Sequence, residues 1–314
     1  MPASVKSRQL AAMSGMAGVL HSLGKQDEAL GLLRRIVELR RARDAGNERA
    51  LAIDLQNLAT GLNAAGAFAE AEPLVAEAAA SIERLHGPES LALMPVLRLQ
   101  GEIDYRKGDL VQEARNVARQ VALARRHLAG DHWWKAQALT EHGRVLARDG
   151  DIEGGRAAVQ EAIAIYERMG SPMVIEALRR AGQVEEIDGN WSGARSWYQR
   201  TVDTCARSPE REATPTCVVA SANLAEAMAH DGDGQAALPV ADAAAAAVAA
   251  NAGEESDAYA QALGARAVAL AAVGRTAEAL QVRRQRLQLL ARLYGDAHPF
   301  VVSARKGVDA DSAP

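Results

Sequence analysis

Seven glycines set the frame of this chain. Gly24, Gly66, Gly108, Gly150, Gly189, Gly232 and Gly274 each follow an apolar helical run and precede an Ala-rich one, at spacings of 42, 42, 42, 39, 43 and 42 residues. Self-similarity at such a period marks a repeat architecture, in which each unit buries its apolar face against its neighbours. The 314 residues therefore predict one array of small stacked units rather than two or three ordinary domains.

The flanks of each glycine keep the register. Seven positions before it stand Ala17, Ala59, Gly101, Gly143, Gly182, Ala225 and Ala267, all small. Eleven before stand Met13, Leu55, Leu97, Leu139, Leu178, Ser221 and Leu263, all but Ser221 large and apolar. Five after stand Ala29, Ala71, Glu113, Gly155, Ala194, Ala237 and Ala279. Glu113 breaks the row, and one inserted residue is expected to bring Ala114 into its place. An apolar and a small residue four apart share a helix face. A glycine in the left-handed conformation ends that helix, and an early small residue lets the next helix cross it closely. Each unit thus reads as a helical hairpin.

Composition agrees. Hydrophobic residues make up 48% but aromatics only 4%, which suits closely packed helices better than a thick aromatic core. No long stretch is dominated by β-branched and aromatic residues, which argues against sandwiches and barrels. A net charge of −4 and a pI near 6.0 lack the basic excess of a nucleic-acid binder. The longest apolar run, around Ala243 to Ala250, falls short of the roughly 20 residues a membrane span needs. No basic segment followed by an apolar one opens the chain.

Small residue, glycine seven on, alanine five further is the spine of the tetratricopeptide repeat, here lengthened to about 42 residues. The chain resembles the kinesin-light-chain-like form of that family, as found in bacterial regulatory proteins. "AGAFAEAEPLVAEA" from Ala65 resembles the family's second-helix opening, and "LYGDAHPFV" from Leu293 and "LHGPES" from Leu85 resemble its connector. The resemblance covers about residues 5–305 and implies an all-α superhelical solenoid of about seven helix-turn-helix repeats. The units are expected at 5–42, 47–85, 88–128, 132–169, 172–207, 214–251 and 256–294, with a partial capping helix at 299–306 and a flexible tail at 307–314. Breakers such as Gly87-Pro88, Ser171-Pro172 and Ser208-Pro209 separate them. The aromatic usual four before the glycine is replaced by Asp104 and Glu185, so those units depart from the pattern. Helix "QAALPVADAAAAAVAAN" of the sixth unit reads as a buried packing helix.

Chemistry is sparse. There is no GxSxG, P-loop, dinucleotide fingerprint or HExxH, so no catalytic residue, cofactor or metal site is expected and the chain does not read as an enzyme. Seven histidines are scattered, and His298 falls on a connector as a structural turn residue. Of Trp133 and Trp134, one is expected to pack and the other to be exposed. Cys205 and Cys217 flank the connector from Arg207 to Pro215. Two separate reduced thiols are the plainer expectation for buried cysteines. A disulfide is the alternative, and would imply an oxidising compartment.

What is left is a surface. The resemblance places groove residues on the first helix of each unit: Gln56, Asn57, Thr60 and Asn63 in the second, Arg98, Tyr105 and Arg106 in the third, Thr140, Arg144 and Arg148 in the fourth, Arg179 and Gln183 in the fifth, Asn223 and Glu226 in the sixth. Asparagine amides can hold both a peptide N–H and a C=O. Arginine forks suit carboxylates and phosphates. The opposing expectation is that these arginines pair with Glu102, Glu141, Glu176 and Glu186 on the same surface. The function expected is a protein-interaction module or scaffold, cytoplasmic, binding a protein or peptide, with an acidic or C-terminal carboxylate partner fitting the arginines. An alternative is the C-terminal sensor or regulatory region of a larger bacterial signalling protein, such as a serine/threonine kinase or transcriptional regulator, periplasmic if Cys205 and Cys217 are bridged. An enzyme built on a helical solenoid is the remote third reading.

Overall fold

The computed structural model describes residues 3–43, 46–207 and 214–312. Ser208 and Pro209 lie outside them. Among the described residues there are fifteen α-helices and no strand. The chain divides into two compact units, residues 1–128 and 129–314. The first holds α1 (Ala3–Ser22), α2 (Gln26–Arg43), α3 (Glu48–Ala64), α4 (Phe68–His86), α5 (Met94–Lys107) and α6 (Leu110–His127). The second holds α7 (Trp133–Arg148), α8 (Ile152–Arg168), α9 (Val174–Ile187), α10 (Trp191–Ala206), α11 (Pro215–His230), α12 (Gly234–Ala252), α13 (Asp257–Ala272), α14 (Thr276–Tyr294) and α15 (Pro299–Ser312). Within each unit consecutive helices pack as antiparallel hairpins, and each hairpin packs on the next.

All seven register glycines have positive φ, from 73° to 98°. The residue after each donates its N–H to the carbonyl four residues before the glycine: Lys25 to Leu20, Ala67 to Leu62, Asp109 to Asp104, Asp151 to Leu146, Asn190 to Glu185, Asp233 to Met228 and Arg275 to Leu270. That is the 6→1 bond of a Schellman motif, which satisfies a carbonyl at the helix end. The same following residue starts the next helix. Asp109, Asp151 and Asn190 accept from the backbone three residues on, as N-caps do.

The small residues sit at the crossings. Ala59, Ala71, Ala225 and Ala237 are fully buried. A Cβ on Gly143 would lie 2.4 Å from Val159 Cγ1, and one on Gly155 would lie 2.7 Å from the Gly143 carbonyl oxygen. The expected insertion beside Glu113 is absent. The helix α6 starts two residues after its glycine, as every other second helix does, and Glu113 itself occupies the buried crossing position at 2% exposure. The turn geometry dictates the register, so a long side chain is accommodated in place. Ala-rich α12 is a packing helix, burying Ala237, Ala241, Ala244, Ala245 and Val248.

Asp104 and Glu185 stay buried where an aromatic was absent. Asn116 Nδ2 donates to Asp104 at 2.8 Å. Glu185 takes two bonds from Arg156, at 2.9 and 2.7 Å, and one from Asn190 Nδ2 at 2.7 Å. Apolar packing at this position is thus replaced by polar ties, the second of them joining neighbouring hairpins.

Two differences from the sequence reading concern the chain's course. The flexible tail expected from residue 307 is helical through Ser312, because α15 buries Val301 and Val308 on one face seven residues apart. Cys205 and Cys217, expected as separate thiols, form a disulfide with their Cα atoms 5.8 Å apart. The C-terminal turn of α10 and the first turn of α11 pack side by side, with Ile175 and Val174 of α9 against the sulfurs.

Candidate partner-binding face

In the second unit the first helices α7, α9 and α11 lie beside one another, as do α11 and α13. Several of the residues expected on this face are engaged within the chain. Arg179 is buried and grips Glu176 through two bonds, at 2.6 and 3.1 Å. Arg180 spans Glu141 at 3.0 Å, Glu176 at 3.1 Å and Gln183 at 2.8 Å. Arg144, also buried, pairs with Glu141 at 3.5 Å. Arg148 turns to Asp149 at 3.0 Å. Thr140 is buried and bonds back to the Ala136 carbonyl at 2.8 Å, so it belongs to the packing layer rather than to an open surface.

The electrostatics follow from these partners. Burial opposes the charge on Glu176, but Arg180 and Arg179 outweigh it and hold the carboxyl down to about 2. Glu141 is likewise lowered, Arg180 and Arg144 overcoming burial. Burial, with Glu141 and Glu176 nearby, pushes Tyr166 up to about 12. The α7–α9 part of the face is therefore a closed network of fixed charges.

The α9–α11 part differs. Glu186 accepts from Tyr198 Oη at 2.6 Å, yet burial raises its carboxyl. Glu226 has no hydrogen bond or ion pair among the described residues. Burial first, and Glu186 second, push it up to about 7, against the pull of Arg286. Asn223, one turn earlier on α11, is half-buried and its amide makes no hydrogen bond among the described residues.

In the first unit Asn57 and Thr60 line a cavity of about 270 Å³ between α1, α2 and α3, with Ser14, His21 and Gln26 on its other walls. Asn63 has its Oδ1 buried and unbonded. Gln56 is half-buried, and its carbonyl accepts from Thr60. Arg98 pairs with Glu102 at 3.2 Å. Tyr105 and Arg106 are half-buried on α5.

The remaining sequence-derived candidates are structural. His298 is buried, stacks on Tyr294 at 4.5 Å and accepts from the Phe300 N–H. Trp133 is 44% exposed and stacks on half-buried Trp134 at 4.0 Å. His132 caps α7. No group of metal-ligating side chains occurs among the described residues, and no helix among them is long and apolar enough to cross a membrane.

A family model described as tetratricopeptide repeat matches residues 9–42 and 55–92. A tetratricopeptide repeat protein from Parabacteroides merdae superimposes with a TM-score of 0.61, at 12% identity, over 96% of this chain and 99% of that one. The fold is a tetratricopeptide-repeat solenoid. BtubC (BKLC) from P. vanneervenii aligns over 73% of this chain and 92% of its own, at 19% identity and a TM-score of 0.58. A Rap protein complexed with Competence and Sporulation Factor aligns over 97% and 99%, at 11% identity and a TM-score of 0.59. No curated protein matches the chain by sequence.

Two contributors to the tetratricopeptide-repeat face escaped the sequence reading, because both come from second helices. A Cβ on Gly182 of α9 would lie 2.5 Å from the Tyr198 ring. The bare glycine lets Tyr198 of α10 reach Glu186. Likewise a Cβ on Gly264 of α13 would lie 3.3 Å from Arg286 Nε, and Arg286 of α14 donates there to the Ala260 carbonyl at 3.1 Å. Glycines at first-helix positions were the available signal.

Proposed function

We propose that this chain is a non-catalytic interaction module that holds an extended segment of a partner protein against its first helices. The observation that carries this is Asn223 beside Glu226: two half-buried polar side chains one turn apart on α11, neither with a hydrogen bond or ion pair among the described residues. Half-burying such groups without bonds costs folding free energy, and an incoming peptide backbone recovers it through the amide's donor and acceptor. Asn57 stands in the equivalent place beside the first unit's cavity. A preformed helical face also loses little ordering entropy on binding. The Rap protein, which shares this fold, is complexed with a factor, and that supports a partner-binding reading of the fold.

The expectation of an acidic partner rested on free arginines, and Arg144, Arg179 and Arg180 are occupied by Glu141 and Glu176. The disulfide favours a compartment in which thiols are oxidised over the cytoplasm. The test is affinity capture from source-cell extract by the wild-type chain and by Asn57→Ala and Asn223→Ala. The variants should keep the wild-type melting temperature and lose the captured protein. Equal capture by all three sinks the reading.

A further inference from the structure

The cavity of about 270 Å³ between α1, α2 and α3 traces to one missing side chain. Gly18 lines it, six positions before the register glycine Gly24. The same position in the other six hairpins carries Thr60, Glu102, Arg144, Gln183, Glu226 and Val268. A Cβ on Gly18 would meet no neighbouring helix within 4 Å. Gly61 of α3 is the opposite case. A Cβ there would lie 3.0 Å from Leu30 Cδ2 and 3.3 Å from Leu33 Cδ1. The two leucine ends are therefore pressed to the α3 backbone, and with Ala17 and Ala29 they give the cavity an apolar lining. Gly18, His21 and Thr60 are exposed, so the mouth opens to the surface between α1 and α3.

The polar groups of the lining are of two kinds. His21 Nδ1 donates to Gln26 Oε1 at 2.7 Å, and Gln26 Nε2 donates to the Gly61 carbonyl at 3.1 Å. These bonds tie α1 to α2 and α2 to α3, and hold the walls apart in a fixed geometry. Ser14 and Asn57 also line the cavity, and their side chains make no hydrogen bond among the described residues. No Asp, Glu, Lys or Arg is in the lining, and the sequence has none from Gln9 to Gly24. A charged side chain entering here would lose hydration without meeting a counter-charge. An uncharged apolar one gains by burial. The volume is below the roughly 300–1,000 Å³ of sites that hold a whole small molecule, and suits a single side chain. The Asn57 amide has a donor and an acceptor for the backbone that carries it.

We propose that this cavity receives one aliphatic side chain of the partner segment, of leucine or methionine size, with the segment's backbone on Asn57. This rests on the interaction-module reading and adds the partner's chemistry. The gap at Gly18 makes the first unit select an uncharged apolar residue, where the other hairpins present side chains of their own.

The test is an NMR titration of the full chain with N-acetyl-leucine N-methylamide, a single residue with a peptide group on either side. The corresponding alanine and glutamate compounds are compared. The leucine probe should shift the Gly18, Gly61 and Asn57 amide signals saturably. The alanine probe should bind about tenfold more weakly, and the glutamate probe more weakly still. Gly18→Leu places a side chain in the cavity and removes a mid-helix glycine, so its melting temperature should stay at or above wild type while the shifts are abolished. Gly18→Ala makes the same helical gain, leaves most of the cavity and should retain binding. Equal response to the three probes, shifts that survive Gly18→Leu, or no response at these residues overturns the subsite. The parent reading fails separately. Extract capture by Asn57→Ala and Asn223→Ala equal to wild type removes the partner and the subsite with it. Capture lost by those two variants and kept in full by Gly18→Leu overturns the aliphatic subsite alone.

Discussion

Gly143 and Gly155 face each other across the crossing of α7 and α8, where a Cβ on either would come within 2.8 Å of the other's carbonyl oxygen. Both positions of the hairpin's small-residue pair are glycine here, and the backbones meet. Gly101 holds the same place in the first unit, yet a Cβ there would touch Asn116 and Val117 only at 3.8 Å. The two glycines predict opposite outcomes. Gly143→Ala must push the helices apart and should cost about 1–3 kcal/mol. Gly101→Ala fits and should gain about 0.5–1 kcal/mol from helix propensity. Urea unfolding of the two variants, followed by circular dichroism, distinguishes them.

The disulfide gives a redox-dependent stability. Closing the 12-residue separation between Cys205 and Cys217 restricts the unfolded chain by about 3 kcal/mol on the loop-entropy account. Thermal midpoints of the second unit should fall on full reduction with a dithiol, and a Cys205→Ser, Cys217→Ser variant should melt at the reduced value in either condition. Identical midpoints with and without reductant would show that the bridge does not form.

Glu176 and Glu226 predict pH effects of opposite sign. Glu176 is held down to about 2, so its stabilising contribution is present above the ordinary carboxylate range and is lost as pH falls toward 2. Glu226 is pushed up to about 7. The stability it favours is present below the ordinary range and lost as pH rises through about 7. Glu226→Gln should therefore raise the midpoint at pH 8 more than at pH 5. Glu176→Gln should lower it at pH 7, an effect that shrinks toward pH 3. Midpoints across pH 3–8 for both variants provide the check.

Glu185 joins α9 to Arg156 of α8, and the carboxyl is lowered chiefly by that bidentate bond. Asp188 and Glu153 also hold Arg156, so the guanidinium keeps partners when Glu185 is removed. Glu185→Ala should cost about 2 kcal/mol, less than a fully buried ion pair broken on one side. A loss within the error of a urea titration would show that the other two acids fully replace it.

The hairpin register was readable because it is local. A left-handed glycine, its following cap and the small residues at fixed offsets are dictated by bonds within a few residues, and all seven turns close as the spacing predicts. The first-helix positions of Asn57, Arg144, Arg179, Asn223 and Glu226 were an expectation carried by the family resemblance, not by any period within the helices. Their state was legible from neither. Whether Arg179 is free or clasped by Glu176 depends on rotamers and on what the adjacent helix presents. Tyr198 and Arg286 enter from second helices through gaps at Gly182 and Gly264, contacts that no periodicity within one helix encodes. The same holds for Cys205 and Cys217, whose meeting needs two helix ends brought side by side. The repeating glycines and small residues were enough to specify a tetratricopeptide-like run of helical hairpins. Which charges pair with one another, as Arg179 does with Glu176 and Arg180 with Glu141, was settled only in three dimensions, because ion pairing depends on distances of a few ångströms between elements, and those arise only when the hairpins stack.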